Sequence, residues 1–488
     1  MFSCISKYHQ KIDLTECSYT DFQIYLNLFA NKRLQPSTLI ISNINMPTQI
    51  ALFFDEFYSS IKFCTNYVRR LSLLECTKSN ISSFESRVEK FSLLRSLHIV
   101  ESISIEKESS TDYVKIESLR NVLFNNNLNS LAELELNIKE GIILDKQQCP
   151  KQHLKQLTIT LQTIDDLFIL FDGLMPNLIF LNVTVRKSSA LKRSPVPRLW
   201  PRQLMMHLTE FRIKTEERVI ITFDHLRGMV MPLIQLEKFT LDVKQWISNE
   251  KQFVKGNRIE MLFSQFMPRL RQFHCFIQTA HNIDMQTFAT LSKRWPLACK
   301  LKSNGLCQYL YTIPWSFEQL DISMLADDDT ISICPNIRYL TVDVPCTDLS
   351  RRFPNIHTLN VLVECNISGN DHEEFRRLRH LKTTNINMIL FLPTKRIQTL
   401  TLLERFEFLK DTIIYSNVLH LILEKNKIKS LNTVIKLVKC FPNLRSLKIQ
   451  LKNTDEYYNC LDVLLDGEHL PHLWLFKTNW ISRFGYCS

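Results

Sequence analysis

One short pattern of apolar and polar positions returns along most of the chain: an apolar residue, two residues of any kind, then apolar, any, apolar. It reads Leu94, Leu97, Ile99; Leu131, Leu134, Leu136; Leu154, Leu157, Ile159; and Leu178, Leu181, Val183. Phenylalanine takes the middle place in Leu208, Phe211, Ile213, in Leu236, Phe239, Leu241 and in Leu270, Phe273, Cys275. The series continues with Phe317, Leu320, Ile322; Ile337, Leu340, Val342; Ile356, Leu359, Val361; and Ile397, Leu400, Leu402. It closes with Val418, Leu421, Leu423; Leu444, Leu447, Ile449; and Leu470, Leu473, Leu475. Side chains two apart on an extended chain point the same way, so each phrase predicts a short strand with one buried face.

Between the phrases the period becomes helical. Ile164, Leu167, Phe168, Phe171 and Leu174 fall on one side of a helix, as do Leu431, Val434, Leu437, Val438 and Phe441. A proline marks the return from helix to strand in Met175-Pro176-Asn177, Met267-Pro268-Arg269, Cys334-Pro335-Asn336, Phe353-Pro354-Asn355 and Phe441-Pro442-Asn443. Proline lacks a backbone donor and disfavours helix in the residue before it, so the helix stops there and the chain can extend.

From Leu320 onward the middle residue recurs about every 19 to 26 positions, the period of leucine-rich repeats. The expected fold class is therefore an α/β leucine-rich-repeat-like solenoid, a horseshoe with parallel strands on its concave face and helices outside. Residues 1–66 read as a capping or irregular repeat region, with Ile12-Asp13-Leu14 and Thr38-Leu39-Ile40-Ile41 as candidate strands. Residues 67–488 read as the solenoid, with a basic insertion at 186–203. Stacking is a physical necessity: burying about five side chains at ~2 kcal/mol each cannot offset ordering about 24 residues at ~1–2 kcal/mol apiece. Only neighbours sharing one core close that gap. Two doubly wound α/β domains would also alternate elements, but would not need one phrase at this spacing.

Phrases such as Phe441-Pro442-Asn443-Leu444-Arg445-Ser446-Leu447 and Phe353-Pro354-Asn355-Ile356-His357-Thr358-Leu359 resemble the leucine-rich-repeat regions of F-box proteins. The resemblance covers roughly residues 68 to 480 as a repeat pattern. It implies capture of a protein substrate by the repeats for a cullin-based ubiquitin ligase. Docking on a Skp1-type adaptor is implied only if an F-box lies upstream, because no Leu-Pro opening with three amphipathic helices is recognisable between Met1 and Asn66. The sequence also departs from the standard repeat, which sets Asn after the strand; only the unit of Val418, Leu421, Leu423 and Asn426 does so cleanly.

Composition narrows the chemistry. Hydrophobic residues make up 45 % and charged residues 22 % of 488, as in a folded chain. Only 8 glycines occur, and no two lie within phosphate-loop distance, which excludes Walker, Rossmann and nucleophile-elbow motifs. The 14 cysteines include no CxxC pair, arguing against a zinc site or disulfide framework. His469 and His472 form an HxxH pair, but with no HExxH helix and no nearby cysteine cluster, and read as solvent-facing. Asp371-His372-Glu373-Glu374 reads as a solvated turn.

No enzyme activity, cofactor, metal or membrane association is expected, and the chain reads as a monomer of cytoplasm or nucleus. The net charge of +11 is spread along the chain. One basic stretch, with Arg186, Lys187, Lys192, Arg193, Arg198 and Arg202 among prolines, reads as an exposed insertion; nucleic-acid binding through it is the alternative. Contact with a protein partner is expected from strand residues between the buried ones: Ser96 and His98; Phe180, Asn182 and Thr184; Glu210, Arg212 and Lys214; Tyr339, Thr341 and Asp343; Ser446, Lys448 and Gln450.

Overall fold

In a computed structural model of the chain the phrases become rungs of two sheets. It describes residues 11–15, 17–31, 34–44, 46, 48–55, 65–102, 128, 130–144, 150–187, 205–216, 219–246, 256–279, 293–301, 308–324, 333–345, 349–363, 375–384, 396–403, 414–428, 430–451, 456–473 and 475–478. Most of the basic insertion and the Asp371–Glu374 run lie outside these. The chain divides into two units, Met1–Thr312 and Ile313–Ser488, each with its own sheet.

In the first unit β1 (Lys11–Asp13), β2 (Thr38–Ser42), β3 (Arg70–Cys76), β4 (Ser96–Glu101) and β5 (Glu133–Asn137) lie side by side in chain order. The series runs on through β6 (Gln156–Leu161), β7 (Phe180–Val185), β8 (Glu210–Thr215), β9 (Lys238–Trp246) and β10 (Gln272–Thr279), every pair parallel. The order then reverses: β11 (Leu297–Leu301) and β12 (Gln308–Thr312) pair antiparallel, with β12 antiparallel to β10. This reversal ends the parallel run.

The second unit stacks β13 (Gln319–Asp321), β14 (Tyr339–Val342), β15 (Thr358–Val361) and β16 (His380–Thr383), then β17 (Thr399–Leu402), β18 (His420–Ile428), β19 (Ser446–Leu451) and β20 (Leu475–Thr478). All are parallel neighbours in chain order. One strand per coil, added in sequence order with helices or turns on the return path, makes each unit a leucine-rich-repeat solenoid. β1 and β2, from the candidate strands of residues 1–66, are rungs of the first unit's sheet.

Register shows why the phrase recurs. Its middle residues face one another in a continuous column, Leu71, Leu97, Leu134, Leu157, Leu181, Phe211, Phe239 and Phe273 in the first unit. In the second the column is Leu320, Leu340, Leu359, Leu381, Leu400, Leu421, Leu447 and Phe476. The phenylalanines form a packed run: the ring of Phe239 stacks on Phe211 at 5.6 Å and Phe273 at 5.8 Å, and meets Phe263 edge-on at 5.9 Å. Helix residues close the column from behind, among them buried Leu167, Phe168 and Phe171 in one coil and Val434, Leu437 and Val438 in another.

The coils are tied by a second ladder just before each strand. The carbonyl of Arg69 accepts both Arg95 N (2.8 Å) and Ser96 N (3.0 Å) of the next coil, and that of Arg338 accepts both His357 N and Thr358 N (2.9 Å each). The same fork recurs along both units. It meets the requirement that buried backbone groups be paired where the chain turns into the sheet.

The proline junctions prove to be turns, and the asparagine after proline has its own task. Asn355 Nδ2 donates to Pro335 O (2.9 Å), Asn443 Nδ2 to Ser416 O (2.8 Å) and Asn177 Nδ2 to Gln152 O (2.8 Å), each reaching back one coil. After the strand, helix caps replace the missing standard asparagine. Thr77, Thr163 and Thr222 form capping boxes with Asn80, Asp166 and His225. Of the few glycines, Gly141 stands at φ +77°, where an added Cβ would lie 2.6 Å from the backbone of Leu161.

Two rungs and one register differ from the sequence reading. β3 carries the phrase as Val68, Leu71 and Leu73, and β16 fills the gap between Leu359 and Leu400 as Leu378, Leu381 and Thr383. The last phrase is shifted by one turn: its column residue is Phe476, opposite Leu447, and not Leu473. The reason is Pro471. Leu473 N donates to Leu470 O (3.0 Å), as Ile356 N does to Phe353 O (3.4 Å), so Leu470-Pro471-His472 is one more proline turn and the strand starts after it.

Candidate functional site

Alternation along each strand leaves the residues between column positions on the face of the sheet opposite the core. The sequence-nominated residues of β4, β7, β8 and β19 all stand there, half-buried except for the exposed Arg212, together with the exposed Tyr339 and half-buried Thr341 of β14. Asp343 lies just past β14. Its carboxylate accepts Ser323 N (2.9 Å) and the Ser323 hydroxyl, so it fastens the preceding coil.

Of these sets the structure brings two into direct contact. Phe180 faces Glu210, Asn182 faces Arg212 and Thr184 faces Lys214 across β7 and β8. Arg212 donates to Glu210 Oε1 through Nε (2.8 Å) and Nη2 (2.6 Å), with its guanidinium carbon 5.4 Å from the Phe180 ring centre. The charge thus sits over an aromatic ring, in a solvent-exposed place where such a pair adds little stability. Ser96 and His98 stand three strands away in β4, and in the second unit β14 and β19 are five strands apart. These sets are not neighbours.

The structure adds outward-facing partners that the nomination missed. His98 Nε2 lies 3.3 Å from Glu135 Oε1 on β5, and this close approach is the main cause that lowers the Glu135 pKa. Beside Lys214, Asp242 of β9 has a covered Oδ1 without a hydrogen-bond partner; burial pushes its pKa up to about 6, with Lys214 and Lys244 pulling the other way. His274 of β10 is held below the ordinary histidine range, by burial first and then by Arg212.

The second unit carries a histidine row. His380 begins β16, in register with Thr358 and Thr399, and His420 begins β18. The rings of His357 and His380 lie 4.7 Å apart. Burial first, then His357, His420 and Arg379, hold the His380 pKa down to about 4. One coil further, Lys382 Nζ reaches across β17 to Glu424 Oε1 (3.1 Å), and Gln450 Nε2 donates to Glu424 O (3.0 Å).

The other nominated features sit as follows. Arg186 and Lys187, the described residues at the start of the basic insertion, pair with Glu216 (2.8 Å) and Glu140 (3.3 Å). His469 and His472 are both exposed, and His469 Nδ1 meets Asp466 Oδ2 at 2.7 Å; His472 belongs to the proline turn before β20, not to the strand. Among the described residues no group of His, Cys, Asp and Glu is arranged to hold a metal ion. No helix among them is long and apolar enough to cross a membrane.

No protein-family model matches the chain, and no curated protein matches it in sequence. Solved structures aligned to it include a leucine-rich-repeat protein of Leptospira interrogans, at 13 % identity and a TM-score of 0.26, covering 86 % of this chain and 97 % of that one. Another is the Drosophila Toll–Spatzle complex, at 13 % identity and a TM-score of 0.28, covering 94 % of this chain and 53 % of that one.

Proposed function

We propose that the protein is a binding module, not an enzyme, and that each unit engages a protein partner through the outward face of its sheet. One observation carries this reading: register sets polar, charged and aromatic side chains side by side over many strands, from His98 and Glu135 to Phe180, Arg212 and Lys214. Such a mixed, extended face suits a protein surface better than a small molecule. Substrate recognition in an F-box-like ubiquitin ligase, or scaffolding, is the finer form that the repeat resemblance suggests. Cytoplasm or nucleus is the proposed location. The buried thiols of Cys76, Cys275 and Cys460 suit a reducing compartment.

The test is affinity capture from cells with the full chain and with Arg212→Glu and Lys448→Glu variants, which leave the column residues intact. Partners recovered by the parent chain should be lost or weakened in at least one variant. An unchanged set of partners would refute the face assignment. Recovery of a Skp1-type adaptor would support the ligase form, and its absence among abundant partners would remove it.

A further inference from the structure

At the edge where the strands of the first unit begin, a groove of about 740 Å³ is lined by Arg69, Arg70 and Arg95, with Thr38 and Ser96 on either side of Arg70 and Glu133 at one end. The three arginines are exposed. Their place follows from the coil: Arg69 and Arg95 occupy the same position of successive coils, just before β3 and β4, and each lends its carbonyl to the next coil's pair of amides. Arg70 and Ser96 are facing partners one rung apart. The guanidinium stems are therefore anchored by sheet backbone spaced ~4.8 Å, while their heads remain in solvent.

Three like charges held together repel one another, and no acidic side chain within ion-pair distance neutralises them among the described residues. Three other cations of this unit are matched: Arg212 has Glu210, Arg186 has Glu216 and Lys187 has Glu140. Planar guanidinium forks lining one groove beside hydroxyls suit the oxygens of a phosphate, which accepts paired charge-assisted hydrogen bonds. The groove is short for a polyanion. Across the strands a phosphate polymer would run onto Glu133 and Glu135 of β5, whereas one phosphoryl group and a few flanking residues fit the available volume.

We infer that this groove captures a phosphorylated serine or threonine presented on a peptide segment of a protein partner. The inference rests on the reading of the first unit as a protein-binding module and names a chemistry for one part of it. Arg69, Arg70 and Arg95 bind the phosphoryl oxygens, Thr38 and Ser96 supply hydroxyl donors, and Tyr67 walls the groove beside them. Glu133 limits how far the negative charge can extend.

The test uses the full chain, a fluorescent peptide library with a fixed central phosphoserine or phosphothreonine, the same library unphosphorylated, and a single-stranded oligonucleotide of equal charge. The phosphorylated library should bind at least about tenfold more tightly than either competitor. Arg70→Gln and Arg95→Gln should each weaken it about tenfold or more, the loss of a hydrogen bond to a charged group. Glu133→Gln should tighten it, a gain that no misfolded variant would give. Equal binding of both libraries, tighter binding of the oligonucleotide, or insensitivity to all three substitutions would overturn the inference. Arg212→Glu, which tests the sheet face, should leave phosphopeptide binding unchanged, so failure of one reading can be told from failure of the other.

Discussion

Replacing Phe239 by alanine should open a local fault in the first unit and leave the second untouched. Phe239 is fully buried, and three rings from three different elements meet it: Phe211 of β8, Phe273 of β10 and Phe263 of the helix Gly256–Phe266. Truncating a buried phenylalanine costs about 3–5 kcal/mol, and loss of ring-on-ring geometry puts this site toward the upper end of that range. In a solenoid each coil contacts only its neighbours, so the cost should fall on β8 to β10 and fade over the coils beyond them. Hydrogen exchange read by mass spectrometry supplies the map. A loss of about 4 kcal/mol corresponds to a rise of ~10²–10³-fold in exchange for amides that open with these coils, at 1.36 kcal/mol per decade. Strands β15 to β17 should keep their protection. A stability loss under about 1 kcal/mol would refute the packing argument, and equal loss of protection in β15 to β17 would refute the division into two units.

Four further outcomes follow from the structure. Asn443→Ala and Asn355→Ala, which each remove a hydrogen bond to the preceding coil, should each cost about 0.5–1.5 kcal/mol in urea unfolding. Gly141→Ala combines positive φ with a 2.6 Å clash against backbone, whereas Gly467 at φ +74° has open space around its Cβ position; the first substitution should therefore destabilise clearly more than the second, whose cost is about 1–2 kcal/mol from conformation alone. For His380, a native pKa of about 4 against the ordinary 6.5 means that between these values the unfolded chain binds a proton that the native chain does not. Stability should fall as pH drops through that window, and His380→Gln should flatten the slope. Asp242 acts with the opposite sign: its native pKa of about 6 against the ordinary 3.8 gives the native chain the extra proton. Its contribution should fall as pH rises from 3.8 to 6, an effect that Asp242→Asn should abolish.

Much of the architecture could be read from the chain because column residues have one role everywhere. Leu181 and Leu359 each face a leucine or phenylalanine on both sides, so the apolar alternation is preserved even where neighbouring coils share little else. The reading weakened where that role was filled by an unexpected residue. Thr383 takes an apolar place in β16 and is fully buried there, which hid a complete rung. At the end of the chain, leucine at both Leu470 and Leu473 made two frames look alike, and only the turn at Pro471 distinguishes them.

The outward face was legible in outline only. Alternation shows which residues point away from the core, but register decides which of them meet. Pairings such as His98 with Glu135, or Lys382 with Glu424, join residues 37 and 42 positions apart, with no local trace of the match. Asp343 illustrates the reverse case: an outward position by its spacing, it is engaged by Ser323 of the coil before. The arginine groove was missed for a related reason, since Arg69 and Arg95 precede their strands and gain meaning only when successive coils are stacked.

Side-chain footprinting of the chain alone and in complex with a recovered partner tests the proposed binding surface most directly. The account predicts reduced labelling of Phe180 and Lys214 in the first unit, or of Tyr339 and Lys448 in the second. Labelling of Met261 and Tyr458, which stand 66 % and 71 % exposed on helices, should not change. Protection confined to those helix residues, with the strand residues labelled as before, would contradict it.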